Sequence, residues 1–230
     1  MDFFDGYSVT AKKDFILAEL DWLFTKTSNP QEALLVSYAF KGSDFTSFFS
    51  DLEMIFNAKG IHLTDINDTH AGTAKELINN AKMFVFCGGD LASLISGLNA
   101  LKASGFDPYP VIKNKIENGI PYLGWNEGSV IASGLEYDFP NNPIQSALKC
   151  VPFQFIRNYT NNDNTSANPI KQFLSKNLGI RMAFAMVDRV KEDKSSVRLE
   201  ESGGGLLYSI IGKPLVTKYF LDNSGNLIHE

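Results

Sequence analysis

Short apolar runs alternate with longer amphipathic segments along the first 135 residues of the chain. Apolar residues in Phe15–Phe24 recur at steps of three and four residues, which predicts a helix. Runs rich in apolar and β-forming residues predict buried strands at Ala33–Phe40, Ile61–Ile66, Lys82–Cys87 and Ile120–Trp125. The segments between them predict helices at Asp44–Lys59, Thr73–Ala81, Leu91–Ala103 and Pro110–Asn118. This alternation predicts an α/β fold, a mostly parallel sheet flanked by helices in three layers.

The pattern changes from about Glu136, where prolines and an Asn/Thr/Ser-rich stretch interrupt it. Short strands are predicted at Ser196–Glu200, Leu206–Ile211 and Leu215–Leu221, with glycine-containing turns after the first and the third. We expect these strands to form a short antiparallel C-terminal tail that completes or extends the same sheet. The whole chain, residues 1–230, is therefore predicted to be a single domain.

Composition and charge exclude several classes of protein. Hydrophobic residues make up 44% of the chain, which is enough for a packed core. The 21 basic and 26 acidic residues give a net charge of −5, which argues against a nucleic-acid partner. No apolar run approaches the roughly 20 residues that cross a bilayer, and the N-terminus carries acids where a secretory signal needs bases. With only Cys87 and Cys150 as cysteines, we expect a reducing cytoplasm and no membrane partner.

Two predicted strands end in glycine-containing turns, at the edge where ligands of parallel sheets bind. The first turn is Phe86–Asp90, in which Gly88 and Gly89 allow backbone that side chains would block. Their amides could face an anion or an oxyanion. The alternative is an ordinary strand-to-helix turn in which Asp90 caps the following helix.

The second turn, Gly124–Gly128, has the Gly-x-X-x-Gly form of a nucleophile elbow. In such an elbow the middle side chain is exposed, and both glycines are needed because neighbouring backbone comes too close for a Cβ. An enzyme would place Ser or Cys in the middle, but this sequence has Asn126. A carboxamide is not a useful nucleophile, so the form of the motif is present without its reactive atom.

These two turns and their spacing resemble those of the peptidase E family of aspartyl dipeptidases, relatives of the cyanophycinases. Members carry Gly-Gly-Asn after one strand and a Gly-Trp-Ser-Ala-Gly elbow further along, where this chain has Gly88-Gly89-Asp90 and Gly124-Trp125-Asn126-Glu127-Gly128. The resemblance runs from about Ala33 to the C-terminus. It implies a class I glutamine amidotransferase-like fold, which is flavodoxin-like, and a serine-type dipeptidase activity.

The resemblance also shows where this chain departs from the family. Asn126 stands at the position of the catalytic serine, and Asn158 falls where the family's histidine belongs. The third member of the triad, an acid, would fall at Glu192 or Asp193. The oxyanion hole would be formed by Gly88, Gly89 and the amide of Glu127. A Glu127 carboxylate pointing inward would repel the developing negative charge there.

Loss of the serine or the histidine of a protease triad costs roughly 10⁶ in turnover. We therefore expect a peptidase E-like fold that has lost serine-peptidase catalysis. Asp90, Asn126, Arg157 and Asn158 could then line a pocket for a small acidic peptide or amino acid, because Arg suits carboxylate binding. The alternative for Arg157 is a surface ion pair.

A relocated enzyme chemistry is the second hypothesis, with Cys87 as an alternative nucleophile at the end of its strand. The alternative for Cys87 is a small buried hydrophobic residue. Ser129 is expected to have a structural or capping use, and His70 is the only histidine near the ligand edge. No cofactor is implied and no metal-ligand spacing is present. A purely structural role and the oligomeric state are left open by the sequence.

Overall fold

The structure of the protein is a computed structural model. It describes residues 9–27, 30–125, 127–132, 137–138, 142–143, 148–151, 154–159, 170–171, 174–175, 182–187, 196–202, 205–211 and 216–229. The chain divides into two compact units, residues 2–132 and residues 133–230 together with residue 1. That the whole chain acts as a single domain stays a prediction.

The first unit alternates strands and helices after a short 3-10 helix at Val9–Lys12. Its helices are α1 (Lys13–Lys26), α2 (Phe45–Asn57), α3 (Ala74–Asn80), α4 (Leu91–Ala103), α5 (Pro108–Glu117) and α6 (Glu127–Ala132). Its strands are β1 (Glu32–Val36), β2 (His62–Asp65), β3 (Phe84–Phe86) and β4 (Tyr122–Gly124). Each strand and each of the five longer helices falls within or close to a segment that the hydrophobic pattern predicts.

Polar residues fix where the longer helices begin. The Asp44 side chain accepts a hydrogen bond from the Ser47 amide at the start of α2. Thr73 and Glu76 form a reciprocal capping box at the start of α3. Asp107 caps α5, whose first residue is Pro108, a position where the missing N–H is not needed.

The four strands of the first unit form a parallel sheet in the order β2-β1-β3-β4. The central strands β1 and β3 are buried nearly throughout, as strands covered by helices on both faces must be. Because all four strands are parallel, their carboxyl ends lie along one edge of the sheet. The predicted parallel α/β fold is confirmed, and this edge carries both glycine-containing turns.

Two boundaries differ from the prediction for a clear physical reason. β1 ends at Val36, and the apolar residues after it turn instead of extending the strand, with the Phe40 amide bonded to the Ser37 carbonyl at 2.8 Å. The Phe40 ring stacks on Phe48 with centroids 4.9 Å apart, so its apolar surface packs in an aromatic cluster. The helix predicted from Pro110 begins at Pro108, because Asp107 provides the cap.

The described strands of the second unit are β5 (Tyr137–Asp138), β6 (Asn142–Pro143), β7 (Gln154–Tyr159), β8 (Met182–Val187), β9 (Ser196–Ser202), β10 (Gly205–Ile211), β11 (Val216–Leu221) and β12 (Leu227–His229). They pair as β5-β6, as β9-β10 and as a sheet in the order β12-β11-β8-β7. Every described pairing in this unit is antiparallel except that of β7 with β8, which is parallel and differs from the expected antiparallel tail. Within the described residues, no helix is both long and apolar enough to cross a membrane.

Candidate active site

The turn after β3 is built on a glycine that no other residue can replace without strain. Gly89 has a φ of +140°, a conformation that side chains disfavour. A Cβ on Gly89 would lie 1.9 Å from the Ala39 carbonyl oxygen, far inside van der Waals contact. The next amide, that of Asp90, donates to the same Ala39 oxygen at 2.7 Å. The turn is therefore packed directly against the backbone that follows β1.

Asp90 caps α4, as the simpler interpretation of this turn predicts. Its side chain accepts hydrogen bonds from the amides of Ala92 at 2.8 Å and Ser93 at 3.3 Å. Lys41 lies 3.3 Å from the same carboxylate. Although partial burial acts to raise it, the pKa of Asp90 is lowered, because the two amides and the Lys41 ammonium stabilise the charged form.

The turn after β4 has the backbone geometry of an elbow. The Gly128 amide bonds to the Trp125 carbonyl at 2.8 Å, and the Trp125 amide bonds back to Phe86 at 3.0 Å. A Cβ on Gly124 would lie 2.8 Å from the carbonyl carbon of Gly128, and one on Gly128 would lie 2.6 Å from the Phe86 oxygen. The predicted reason for both glycines, close approach of backbone, is confirmed.

Two hydroxyl groups brace this elbow. The Tyr122 hydroxyl donates to the Gly128 carbonyl at 2.6 Å, and the Ser129 hydroxyl donates to the Gly124 carbonyl at 2.9 Å. Ser129 thus has the structural use that its place in the sequence predicts. These bonds tie the end of β4 to the first turn of α6.

The two turns are joined by the carboxylate of Glu127, the first residue of α6. Its Oε2 accepts a hydrogen bond from the Gly89 amide at 2.6 Å, and the residue is 0% exposed. The inward direction considered in the sequence is therefore the one adopted. The Glu127 carboxylate accepts the hydrogen bond of the Gly89 amide, so this amide hydrogen is already used within the protein.

Cys87, in the first of these turns directly after β3, is a buried thiol. It is 0% exposed, and its Sγ lies 3.7 Å from the Val36 carbonyl oxygen. Burial raises the pKa of Cys87 far above its ordinary range, and the nearby carboxylates of Asp65 and Glu127 raise it further. This environment holds the group as a neutral thiol, which is a poor nucleophile.

A second cluster of polar residues, Ser37, Asp65 and Asn67, lies at the same sheet edge, at the ends of β1 and β2. The side chain of Asn67 donates to the Ser37 hydroxyl at 3.0 Å, and the Asn67 amide donates to Asp65 Oδ2 at 3.1 Å. Asp65 is 7% exposed, and its Oδ1 has no hydrogen-bond partner by distance and angle. Burial raises the pKa of Asp65, against the opposing effect of Ser37 and the amides of Asn67 and Ile66.

The wild type is expected to lose stability as the pH rises because Asp65 ionises, and the Asp65→Asn variant should not show this loss. Because burial raises the pKa of Asp65, its protonated form is favoured in the folded state. The resulting stability is full below the ordinary carboxyl pKa of about 3.9 and is lost as the pH rises through the raised value. The free energy of unfolding in urea, measured between about pH 4 and about pH 8, should fall in the wild type relative to Asp65→Asn as the pH rises.

Asp90→Asn is the matched control, because the pKa of Asp90 is shifted in the opposite direction. Asparagine also caps helices, so the fold is kept. The difference between this variant and the wild type should change only at the acidic end of the range. The prediction would be contradicted if the free energies of unfolding of the wild type and Asp65→Asn differed by the same amount at every pH in this range.

Several residues of the predicted site lie outside what the structure describes. Asn126, Glu192 and Asp193 are among them. Arg157 and Asn158 belong to β7, and their side chains are not described. The structure therefore brings together Gly88, Gly89, Asp90, Glu127 and Cys87, all within the first unit.

Sequence reasoning missed two features of this edge. It did not identify the Glu127 contact with Gly89, although an acid directly after an elbow apex in an apolar helix was a signal for a buried carboxylate. It also gave no sign of the burial of Asp65, which lies next to the last residue of a predicted strand. Within the described part of the chain, no three His, Cys, Asp or Glu side chains are grouped as ligands of a metal ion.

Comparison with solved structures shows that the fold is shared with peptidases. A protein described as peptidase E from Listeria monocytogenes superimposes with a TM-score of 0.53 at 15% identity, over 88% of this chain and 96% of that one. A peptidase from an acI-B1 actinobacterium gives a TM-score of 0.57 at 11% identity, over 98% of this chain and 91% of that one. At this level of identity the likeness concerns the fold alone.

Comparison of sequences gives the family. A peptidase E of Nostoc sp. is 30% identical over 182 residues, which are 74% of this chain and 69% of that protein. A peptidase E of Shewanella sp. is 26% identical over 164 residues, and the chain spans 64% of its length. The model of peptidase family S51 matches residues 8–189. The family inferred from the two glycine-containing turns is thus confirmed, and the chain belongs to peptidase family S51, the peptidase E family.

Proposed function

We propose that this member of the peptidase E family has lost serine-peptidase turnover and acts as a binding protein for a small acidic peptide or amino acid. The observation that carries the proposal is an elbow whose two glycines lie close to neighbouring backbone, with Asn126 at its apex in the sequence. An amide nitrogen is delocalised into its carbonyl and cannot replace the serine hydroxyl. In the proposal, Asn158 likewise stands in for the histidine that would accept the proton.

The environment of the elbow supports the loss of catalysis independently of Asn126. A carbonyl under attack needs amide donors that are not already bonded elsewhere. Gly89, one of the three proposed donors, gives its amide hydrogen to the Glu127 carboxylate at 2.6 Å. A negative charge held at this position opposes the charge that develops in the transition state.

Relocated catalysis through Cys87 is the second candidate, and its surroundings weigh against it. Attack requires a thiolate that can reach the substrate. The Cys87 side chain is fully buried and its pKa is raised by burial and by two carboxylates. We therefore favour binding over relocated catalysis.

We also propose that the protein works in a reducing cytoplasm. Its two cysteines, Cys87 and Cys150, are not joined by a disulfide, which fits this proposal.

Binding would use the chemistry that remains once turnover is lost. Arg157 supplies a guanidinium that matches a carboxylate with two parallel hydrogen bonds, and Asn126 and Asn158 supply amide donors and acceptors. An Asp-Xaa dipeptide has one carboxylate on its side chain and one at its end. In this proposal Arg157 pairs with one of them.

The experiment is turnover and calorimetry with an Asp-Xaa dipeptide on one preparation of the full chain. We expect no hydrolysis above background, no labelling by a fluorophosphonate and no labelling of Cys87 by a thiol-reactive probe, together with measurable heat of binding. Arg157→Met should abolish the heat, whereas the matched control Arg198→Met, on β9, should keep it. Hydrolysis that disappears on Asn126→Ala would overturn the loss of catalysis, and the absence of heat in the wild type would overturn the binding function.

A further inference from the structure

The Glu127 carboxylate is an internal ligand of the turn that follows β3. It is 0% exposed and lies 2.6 Å from the Gly89 amide nitrogen, a distance typical of a short, charge-assisted hydrogen bond. An ionised carboxylate loses several kcal/mol of hydration when it is buried, so it needs such a donor to remain in place. The Gly89 amide, in a part-buried turn, in turn needs an acceptor. The Glu127 carboxylate and the Gly89 amide thus satisfy each other's hydrogen-bonding needs.

The donor side of this contact is rigid and does not depend on Glu127 for its shape. Gly89 is fixed at a φ of +140° against Ala39, and the next amide is bonded to the Ala39 oxygen. Asp90 holds the start of α4 through the amides of Ala92 and Ser93. An amide held in this way remains directed at the same point when the carboxylate is removed, which is the meaning of a preorganised site.

The acceptor side is also fixed, because Glu127 lies within the elbow that the Tyr122 and Ser129 hydroxyls brace. The Trp125 carbonyl and the Gly128 amide close the turn on either side of it. Beyond its Cβ, a glutamate side chain consists of a methylene and a carboxylate, which together have the heavy atoms of acetate. Cutting Glu127 back to alanine therefore leaves a space of that size beside a directed amide donor.

We propose that the Gly88-Gly89 turn is a carboxylate-binding site that the chain fills with its own Glu127, and that takes a small monocarboxylate when the Glu127 side chain is removed. The ligand class is an acetate-sized anion with one carboxylate. In the wild type, an external carboxylate reaches this amide only by displacing Glu127, so its apparent affinity is reduced by the small fraction of displaced molecules. Glu127 is in this sense an internal inhibitor of anion binding.

The test is recovery of stability in Glu127→Ala by acetate, measured as the melting temperature of the full chain. Acetate well above its dissociation constant should raise the melting temperature by about 2–4 °C or more over chloride at equal ionic strength. The wild type should show no such difference. Glu117→Ala, which removes an exposed carboxylate from α5, is the matched control and should not respond either. Butyrate, which is too long for the space, should be less effective than acetate.

A second measurement keeps the proposal testable if Glu127→Ala does not fold. In Glu127→Gln the size of the side chain is kept and a neutral carbonyl can accept the Gly89 hydrogen. The Gly89 amide proton should resonate downfield in the wild type and move upfield in this variant, because the charge-assisted bond is replaced by a weaker one. An unchanged Gly89 resonance, or an equal response of Glu127→Ala to acetate and chloride, would overturn the proposal. Neither result depends on dipeptide binding by the wild type.

Discussion

The double variant Asn126→Ser/Asn158→His is expected to gain about 10²–10³ in dipeptide hydrolysis when Glu127→Ala is added to it. The double variant restores the types of residue that a serine peptidase needs for attack and proton transfer. It leaves the Gly89 amide bonded to a buried carboxylate. Removal of that carboxylate frees one donor for the oxyanion and also removes an opposing charge, and loss of a single such donor costs about this factor in known enzymes.

The measurement is the rate of Asp-Xaa hydrolysis by the triple variant relative to the double variant. This ratio is unaffected by the position of the third acid, because Glu192 and Asp193 are the same in both proteins. Adding Glu117→Ala to the double variant instead provides the control for removal of one negative charge, and should leave the rate unchanged. Acetate should inhibit the triple variant, since it binds the vacated amide. A double variant that is already as fast as the triple variant would show that Gly89 is not a required donor.

Elements whose ends are marked by neighbouring residues could be predicted from the sequence, whereas those decided by tertiary contacts could not. α4 was predicted at Leu91–Ala103, where the structure has it, and the cap residue Asp90 directly precedes it in the sequence. β1 was predicted to reach Phe40, because an apolar run does not say whether it continues as a strand or packs after a turn. The stacking of Phe40 on Phe48, a tertiary contact, decides that question.

The same distinction applies to the site. The need for Gly124 and Gly128 could be predicted, because a sharp elbow imposes it on any chain of this kind. The direction of the Glu127 side chain could not, since its partner Gly89 is 38 residues away and the side chain has several allowed rotamers. Burial of Asp65 was missed for the same reason. Its surroundings come from β1 and from the residues after β2, which only the folded sheet brings together.

Replacing Gly89 with alanine is expected to cost more than about 4 kcal/mol of folding free energy, which is in the range that unfolds many domains. The added Cβ would lie 1.9 Å from the Ala39 oxygen and 2.7 Å from the Ala39 carbonyl carbon. Both are backbone atoms, so no side chain can move to relieve the contact. A φ of +140° adds strain of its own, and any shift of the turn would also break the bond to Glu127.

Gly60→Ala separates the two contributions. Gly60 also has a positive φ, +73°, but a Cβ there would have nothing within 4 Å. That variant should therefore lose only about 1–2 kcal/mol, the cost of the left-handed backbone alone. Urea unfolding of both variants measures the difference, and an insoluble Gly89→Ala protein beside a folded Gly60→Ala protein would agree with it. Equal stability of the two would mean that the turn after β3 is not packed on Ala39. The rigid amide on which both the internal carboxylate and the restored oxyanion hole depend would then be lost.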